Sequence, residues 1–248
     1  MKKRLSVVLA VYNEEANLKN CLDSVRDIAW EIVVVDGGSK DNTLKIAESF
    51  GAKIIRTTNP ANFHINKNKA IDMAAGEWIL QLDADEVVTK ALVREIEEVI
   101  LRKSNIEGFW IPRKNFFLGR FLTKGGQYPD YTLRLYKRGF GRFPAKDVHE
   151  QAEVKGKVEY FRSDLLHMRD KTFSIYMERF NRYTDFLSVQ INNPSFFDYF
   201  FLKPGFWFIK AYIRHKGFMD GFPGFLFALF SSLRFPVAYI KYLIDFRK

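Results

Sequence analysis

Four apolar, β-rich runs, separated by segments of helical period, fill the first 82 residues, and this alternation constrains the fold more than any other feature of the chain. Leu5–Val11 is the first run, and Leu18, Leu22 and Val25 then recur at helical spacing. Glu31–Asp36 is the second, ending at Gly37-Gly38-Ser39. A helix capped by Ser39 or Asp41 and carrying Leu44, Ala47 and Phe50 follows, and Gly51 stops it. Lys53–Arg56 is a short third strand, 66–75 a helix ended by Gly76, and 77–82 a fourth strand. Strand and helix alternating in this way give an α/β fold whose mainly parallel sheet has right-handed crossovers and helices on its faces.

In such sheets ligands bind beyond the carboxyl ends of the strands. Polar residues stand at those ends here: Asn13 and Glu14, Asp36 to Ser39, and Asp83 to Glu86. The first strand–helix turn, Val11-Tyr12-Asn13-Glu14-Glu15-Ala16, has no glycine, so the phosphate loops of dinucleotide-binding and P-loop enzymes are both missing. Leu80-Gln81-Leu82-Asp83-Ala84-Asp85-Glu86 sets two carboxylates two residues apart where a buried strand ends, and strand alternation aims both to one side. Two hard oxygen donors without cysteine or clustered histidine suit Mg²⁺ or Mn²⁺ shared with phosphate oxygens.

Three ordered segments carry a resemblance: Val8 to Glu14; Val34-Val35-Asp36-Gly37-Gly38-Ser39-Lys40-Asp41-Asn42-Thr43; and Gly76 to Glu86 with its Asp83-Ala84-Asp85. Together they resemble the family 2 glycosyltransferases of the GT-A fold. Gly125-Gly126-Gln127-Tyr128-Pro129-Asp130 to Arg134-Leu135-Tyr136, with Val148-His149-Glu150, is similar to the branch of lipopolysaccharide core glucosyltransferases. The resemblance implies a nucleotide-sugar donor, usually a UDP-sugar, and a divalent metal. It implies that Val11, Asn13 and Glu14 line the nucleoside pocket and that Asp36 bonds the base or ribose. Lys67 and Asn68 would approach the donor. Asp83 and Asp85, with Ala84 between them, would serve metal and diphosphate, and His167 would complete the metal shell. Arg134 is available to hold phosphate.

Inverting transfer of a sugar needs one carboxylate to take the acceptor hydroxyl's proton; the nucleoside diphosphate already leaves readily. The family places that base after the acceptor strands, where this chain reads His149-Glu150. Glu150 is the expected base and Asp130 its rival. Residues 109–113 and 131–136 read as the strands of an acceptor half. The expected division is a GT-A domain over 1–194, split into 1–104 for the donor and 105–194 for the acceptor, and a tail over 195–248.

The tail holds 18 of the chain's 40 aromatics, and eight Lys/Arg against three Asp. Pro204, Gly205 and the run Gly217 to Gly224 divide it into short helices, while Arg234, Pro236 and Lys241 interrupt its longest apolar run, 222–244. Basic residues among aromatics suit helices lying in the headgroups of an anionic leaflet, and the tail is equally able to pair two copies in a homodimer. The whole chain is basic, with 39 Lys+Arg against 29 Asp+Glu, yet carries no nucleic-acid-binding motif, so nucleic acid is not the expected partner. One cysteine excludes a disulfide framework. The basic start is followed by too short an apolar run for a signal peptide. The expectation is an inverting hexosyltransferase on the cytoplasmic side of a bacterial inner membrane, acting on a lipid-anchored glycan. Its rivals are a polyprenyl-phosphate sugar synthase, with the same N-terminal motifs, and a non-catalytic membrane- or glycan-binding subunit.

Overall fold

The first strand, β1 (Leu5–Val11), is apolar throughout because both of its faces are buried. In the computed structural model, which describes residues 5–102, 104–146, 150–192 and 194–246, it lies between two parallel neighbours. Chain order continues with α1 (Leu18–Val25), β2 (Glu31–Asp36), α2 (Thr43–Ser49), β3 (Lys53–Arg56), α3 (His64–Asp72) and β4 (Trp78–Leu82). These strands run in the spatial order β3-β2-β1-β4, all parallel. Alternate side chains feed two cores. Val7 and Leu9 pack with Leu80, Leu82 and α1's Leu18 and Leu22, whereas Val8 packs with Val33, Val35 and α3's Ala70 and Ile71. Each such Val or Leu contributes about 1.5–3 kcal/mol.

The helix boundaries follow local chemistry. Asp41, rather than Ser39, holds the start of α2, its Oδ1 accepting the Thr43 amide at 3.0 Å. Gly51, at φ +67°, turns the chain after α2 as expected. Gly76 has another use: α3 ends earlier, at Asp72, and the Gly76 amide donates to Ser6 Oγ at 2.8 Å.

The remaining elements are β5 (Glu86–Val88), α4 (Lys90–Leu101), β6 (Ile106–Phe117), β7 (Arg120–Phe121), β8 (Asp130–Lys137), β9 (Gly141–Arg142), β10 (Glu153–Val154), β11 (Lys157–Tyr160), β12 (Leu165–Asp170), α5 (Phe173–Val189), α6 (Lys203–Phe208) and α7 (Gly221–Lys241). β8 joins β4 antiparallel and β6 joins β8 antiparallel, so the sheet is mixed. β12 pairs β5, setting His167 opposite Glu86.

The chain divides into two compact units, Met1–Arg113 with Asp130–His167, and Lys114–Pro129 with Met168–Lys248. This differs from the expected 1–194 and 195–248: residues 114–129 and α5 group with the tail. The second unit has its own core of Phe117, Leu122 and Tyr176, against which Phe180, Phe227 and Phe230 pack. Buried Asp220 accepts the Thr123 and Lys124 amides at 3.0 and 2.8 Å and the Thr123 hydroxyl at 2.9 Å, tying the loop after β7 to the start of α7. Lys241 closes the other end of α7, donating to Asn181 Oδ1 at 2.6 Å and pairing with Asp185 at 2.5 Å.

The expected break at the glycine run is present, at His215 and left-handed Lys216 (φ +57°) just before Gly217, but Pro204 and Pro236 do not break their helices. Pro204 occupies the first turn of α6, where its missing N–H costs little, and π-helical segments on both sides (Asp198–Leu202 and Ile209–Arg214) make the stretch continuous. Pro236 lies inside α7, whose buried Ala228, Ser232, Phe235, Ala238 and Tyr239 hold the helix across it. The helical run Gly217–Asp245, with mean hydropathy 1.3 in its most apolar window, is long and apolar enough to cross a membrane by length and composition. That contradicts the expectation that Arg234, Pro236 and Lys241 interrupt it.

Candidate active site

The site lies where neighbouring parallel strands send their connections in opposite directions. β1 and β4 are adjacent, with Leu9 opposite Leu82; the order then runs to β2 and β3 on one side and β8 on the other. Beyond their carboxyl ends opens a cleft of about 280 Å³, lined by Val11, Tyr12, Glu14, Asn59, Phe63 and Lys67, and by Asp83, Ala84 and Asp85. No glycine shapes the loop after β1. Asn13 takes the left-handed conformation (φ +54°), donates its amide to Ser39 Oγ at 2.9 Å and accepts the Lys40 amide at 2.8 Å.

The second wall is a buried ionic network. Glu86 is fully buried and accepts the Asp83 amide at 2.9 Å, Arg134 at 2.7 Å and Arg113 at 3.5 Å. Arg134 also donates to Gln81 Oε1 and to Asp83 Oδ2, and Lys67 Nζ meets the other Asp83 oxygen at 2.5 Å. Arg113 holds Asp130 with Nε at 3.0 Å and Nη2 at 2.7 Å. Asp85 stands apart, with Oδ2 at 3.1 Å from His167 Nε2. Because β4 ends at Leu82 and a turn follows, the two aspartates face different partners, although both line the cleft.

Electrostatics follow from these contacts. Burial alone would raise the Asp83 carboxyl, but Arg134 and Lys67 outweigh it and hold it well below the usual range. Burial likewise opposes ionisation of Asp85, and the His167 hydrogen bond and charge more than offset it. Lys67 is lowered by burial, which Asp83 only partly reverses. Glu14 is raised, chiefly by burial, with Asp85 and Asp83 adding to the effect. Arg134 stays charged: burial opposes it, but Asp83 and Glu86 prevail.

Of the expected site residues, Val11, Glu14, Lys67, Asp83, Ala84 and Asp85 line the cleft. Arg134 and His167 reach it through Asp83 and Asp85. Three others do structural work. Asp36 is buried and accepts the Gly38 and Ser39 amides at 2.9 and 3.0 Å, closing its own turn. Asn68 clamps the Phe143 backbone, donating to its carbonyl at 2.9 Å and accepting its amide at 3.0 Å. Asn13 ties the loops after β1 and β2 together. Glu150 borders a separate groove with Trp110, Lys146 and Gln151, its oxygens accepting the Lys146 amide at 3.1 and 3.0 Å. Val148 and His149 lie outside the described residues. Sequence reasoning gave no role to Glu86, Gln81 or Arg113, which organise the network. The signal for Glu86 was a carboxylate fused to the apolar pair Val87-Val88, where a solvated acid is out of place.

The donor set fits a divalent ion shared with a substrate. Asp85 and His167 offer one hard oxygen and one imidazole nitrogen, the kind of partial shell that Mg²⁺ or Mn²⁺ completes with phosphate and water. Both Asp83 oxygens already face cations, so Asp83 is poorly placed to be a ligand, against its expected role. Among the described residues no three His, Cys, Asp or Glu side chains form a ready-made cage.

A profile for glycosyl transferase family 2 matches residues 6–143, more than half the chain. The chain belongs to that family. A lipopolysaccharide core biosynthesis glycosyltransferase, LpsC of Rhizobium meliloti, is 30% identical over 242 residues, covering 94% of this chain and 89% of the relative. An uncharacterized glycosyltransferase of Rickettsia typhi, RT0209, is 26% identical over 249 residues, covering 94% and 85%. Among solved structures, the mannosyltransferase PcManGT of Pyrobaculum calidifontis, in complex with GDP-Man and Mn²⁺, superposes with TM-score 0.56 at 14% identity, covering 99% of this chain and 88% of that one. TarS of S. aureus does so with TM-score 0.52 at 19% identity, covering 88% and 46%. The fold of this family 2 transferase is therefore GT-A, with a helical C-terminal region, as expected.

Proposed function

We propose that this transferase moves a hexose, with inversion, from a UDP-sugar to a lipid-anchored glycan of the lipopolysaccharide core type. The observation that carries this reading is the pairing of Lys67 and Arg134 on Asp83, beside Asp85 and His167, at the β1/β4 switch point. The 30% identity to LpsC over nearly the whole chain supports the acceptor class, and UDP-glucose is the first donor to try.

The chain's own residues divide the work. Phe63, Tyr12 and Val11 offer apolar surface to a nucleoside in the cleft. Lys67 and Arg134 supply fixed positive charge beside the place where diphosphate charge develops, in a buried setting that strengthens such interactions. Asp85 and His167 would hold Mg²⁺ or Mn²⁺, which when bound neutralises the leaving diphosphate. Glu150 takes the acceptor hydroxyl's proton. It suits the role better than Asp130, whose carboxylate is held by the Arg113 fork, because each Glu150 oxygen meets only a backbone amide among the described residues. The exposed aromatics and net positive charge of the C-terminal unit support a place on the anionic cytoplasmic face of the inner membrane.

The test is product analysis. Purified protein, UDP-[¹⁴C]glucose and a truncated lipopolysaccharide core should give a labelled lipid-linked glycan with inverted anomeric configuration, and Glu150→Gln should abolish it while retaining UDP binding. A labelled lipid phosphodiester from polyprenyl phosphate, with no glycan product, would replace this reading with the synthase one.

A further inference from the structure

The second unit contains a pocket of about 290 Å³ that shares no residue with the donor cleft. Gly125, Gln127, Trp207, Lys210, His215 and Arg234 are among its lining, and no carboxylate is. Lys210 Nζ lies 4.5 Å and the Arg234 guanidinium carbon 4.4 Å from the Trp207 ring centroid. Neither cation is paired with a carboxylate among the described residues, and Arg234 Nε is buried with no acceptor.

That arrangement is costly if nothing else binds there. Cation–π contacts with Trp207, with Phe206 for Lys210 and with Tyr183 and Phe235 for Arg234, offset part of the desolvation of two half-buried charges, but they leave the charges' mutual repulsion and the Arg234 donor uncompensated. The fully buried Lys and Arg among the described residues have carboxylates: Lys67 with Asp83, and Arg134 with Asp83 and Glu86. A guanidinium fork, an ammonium and an imidazole around one cavity match a tetrahedral oxyanion. The same helices expose Phe206, Ile209, Ile213, Phe218 and Phe222, a surface suited to the apolar part of an amphiphile.

We infer that this pocket binds a terminal phosphomonoester head group carried by a membrane lipid. Lys210 and Arg234 grip its oxygens, and Trp207 forms the wall between them. The choice of a lipid over a soluble phosphate rests on the membrane-surface reading of this unit, and the two fail separately.

The experiment uses the full chain with phosphatidylcholine vesicles containing either phosphatidate or an equally charged amount of phosphatidylserine, read by co-sedimentation. A second arm measures thermal stabilisation by inorganic phosphate. Lys210→Gln with Arg234→Gln is compared with Arg214→Gln and Lys216→Gln, which remove the same charge from exposed positions outside the pocket. Wild type should prefer phosphatidate by about tenfold, as two charge-assisted contacts allow. The pocket variant should lose the preference, and the control should keep it while binding both vesicles more weakly. Ser231→Glu, which sets a carboxylate in the same lining, should also lose it, so the result does not hang on one variant's folding. If wild type binds no vesicle but phosphate stabilises it through the same residues, the phosphoryl pocket stands and the ligand is soluble. The inference is overturned if wild type shows no preference for phosphate in either arm, or if pocket and control variants lose binding alike.

Discussion

Arg134 is the residue on which most of the donor site converges, since its guanidinium reaches Gln81, Asp83 and Glu86 at once. Replacing it with Met leaves buried Glu86 with the Asp83 amide and, among the described residues, Arg113 at 3.5 Å as its one cation, so Arg134→Met should cost about 3–5 kcal/mol by urea unfolding. A loss below 1 kcal/mol would show that the network carries little of the fold. Glu14 tests the sign of a different effect. Its carboxyl is raised by burial, so its ionisation opposes folding, and wild type loses stability as pH rises from the ordinary value of 4.5 through the raised folded one. Glu14→Gln should match wild type below that window and have the higher Tm above it; a lower Tm at pH 7 would contradict the assignment. The aspartates of the site were legible because two acids end an apolar strand. The structural partners of Asp36 and Asn68 were not legible, because turn closure and backbone clamping use the same residue types as ligand binding, and only the partners (Ser39 and Phe143 amides) reveal them.

At the scale of elements, β1 to β4 could be read closely because strands buried on both faces have little freedom in composition. β5 was hidden, being three residues long and interrupting its acidic motif only by pairing with distant β12. Pro204 and Pro236 were misread as breaks because Pro signals a break only when position and packing do not override it: Pro204 sits in a first turn, and α7 buries one face along its length. Asp220 at the start of α7 is the element's anchor. Asp220→Ala would strand the Thr123 and Lys124 amides and the Thr123 hydroxyl, and should cost about 1–3 kcal/mol in the C-terminal unit, seen as faster hydrogen exchange in α7. Unchanged exchange there would mean that apolar packing alone sets the helix.

For the whole molecule, the observed division differs from the expected boundary near residue 194 because residues 114–129 group with chain that resumes 39 residues after them, a grouping that no local pattern announces. The catalytic assignment rests on the first unit and the proposed membrane recruitment on the second. Recruitment through a basic, aromatic surface should weaken as salt screens it, so binding to anionic vesicles should fall several-fold between about 0.05 and 0.3 M salt; salt-independent binding would point to insertion of the long apolar helix instead. The central claim is that the β1/β4 cleft holds a nucleoside diphosphate through Lys67, Arg134 and an ion on Asp85 and His167. Its most direct test is thermal stabilisation of wild type and Asp85→Ala by UDP, with and without Mn²⁺. UDP at 100 times its Kd should stabilise wild type by about 2.7 kcal/mol only when Mn²⁺ is present, and Asp85→Ala should lose that gain. Failure of saturating UDP to stabilise wild type with Mn²⁺, or an undiminished gain in Asp85→Ala, would contradict the account.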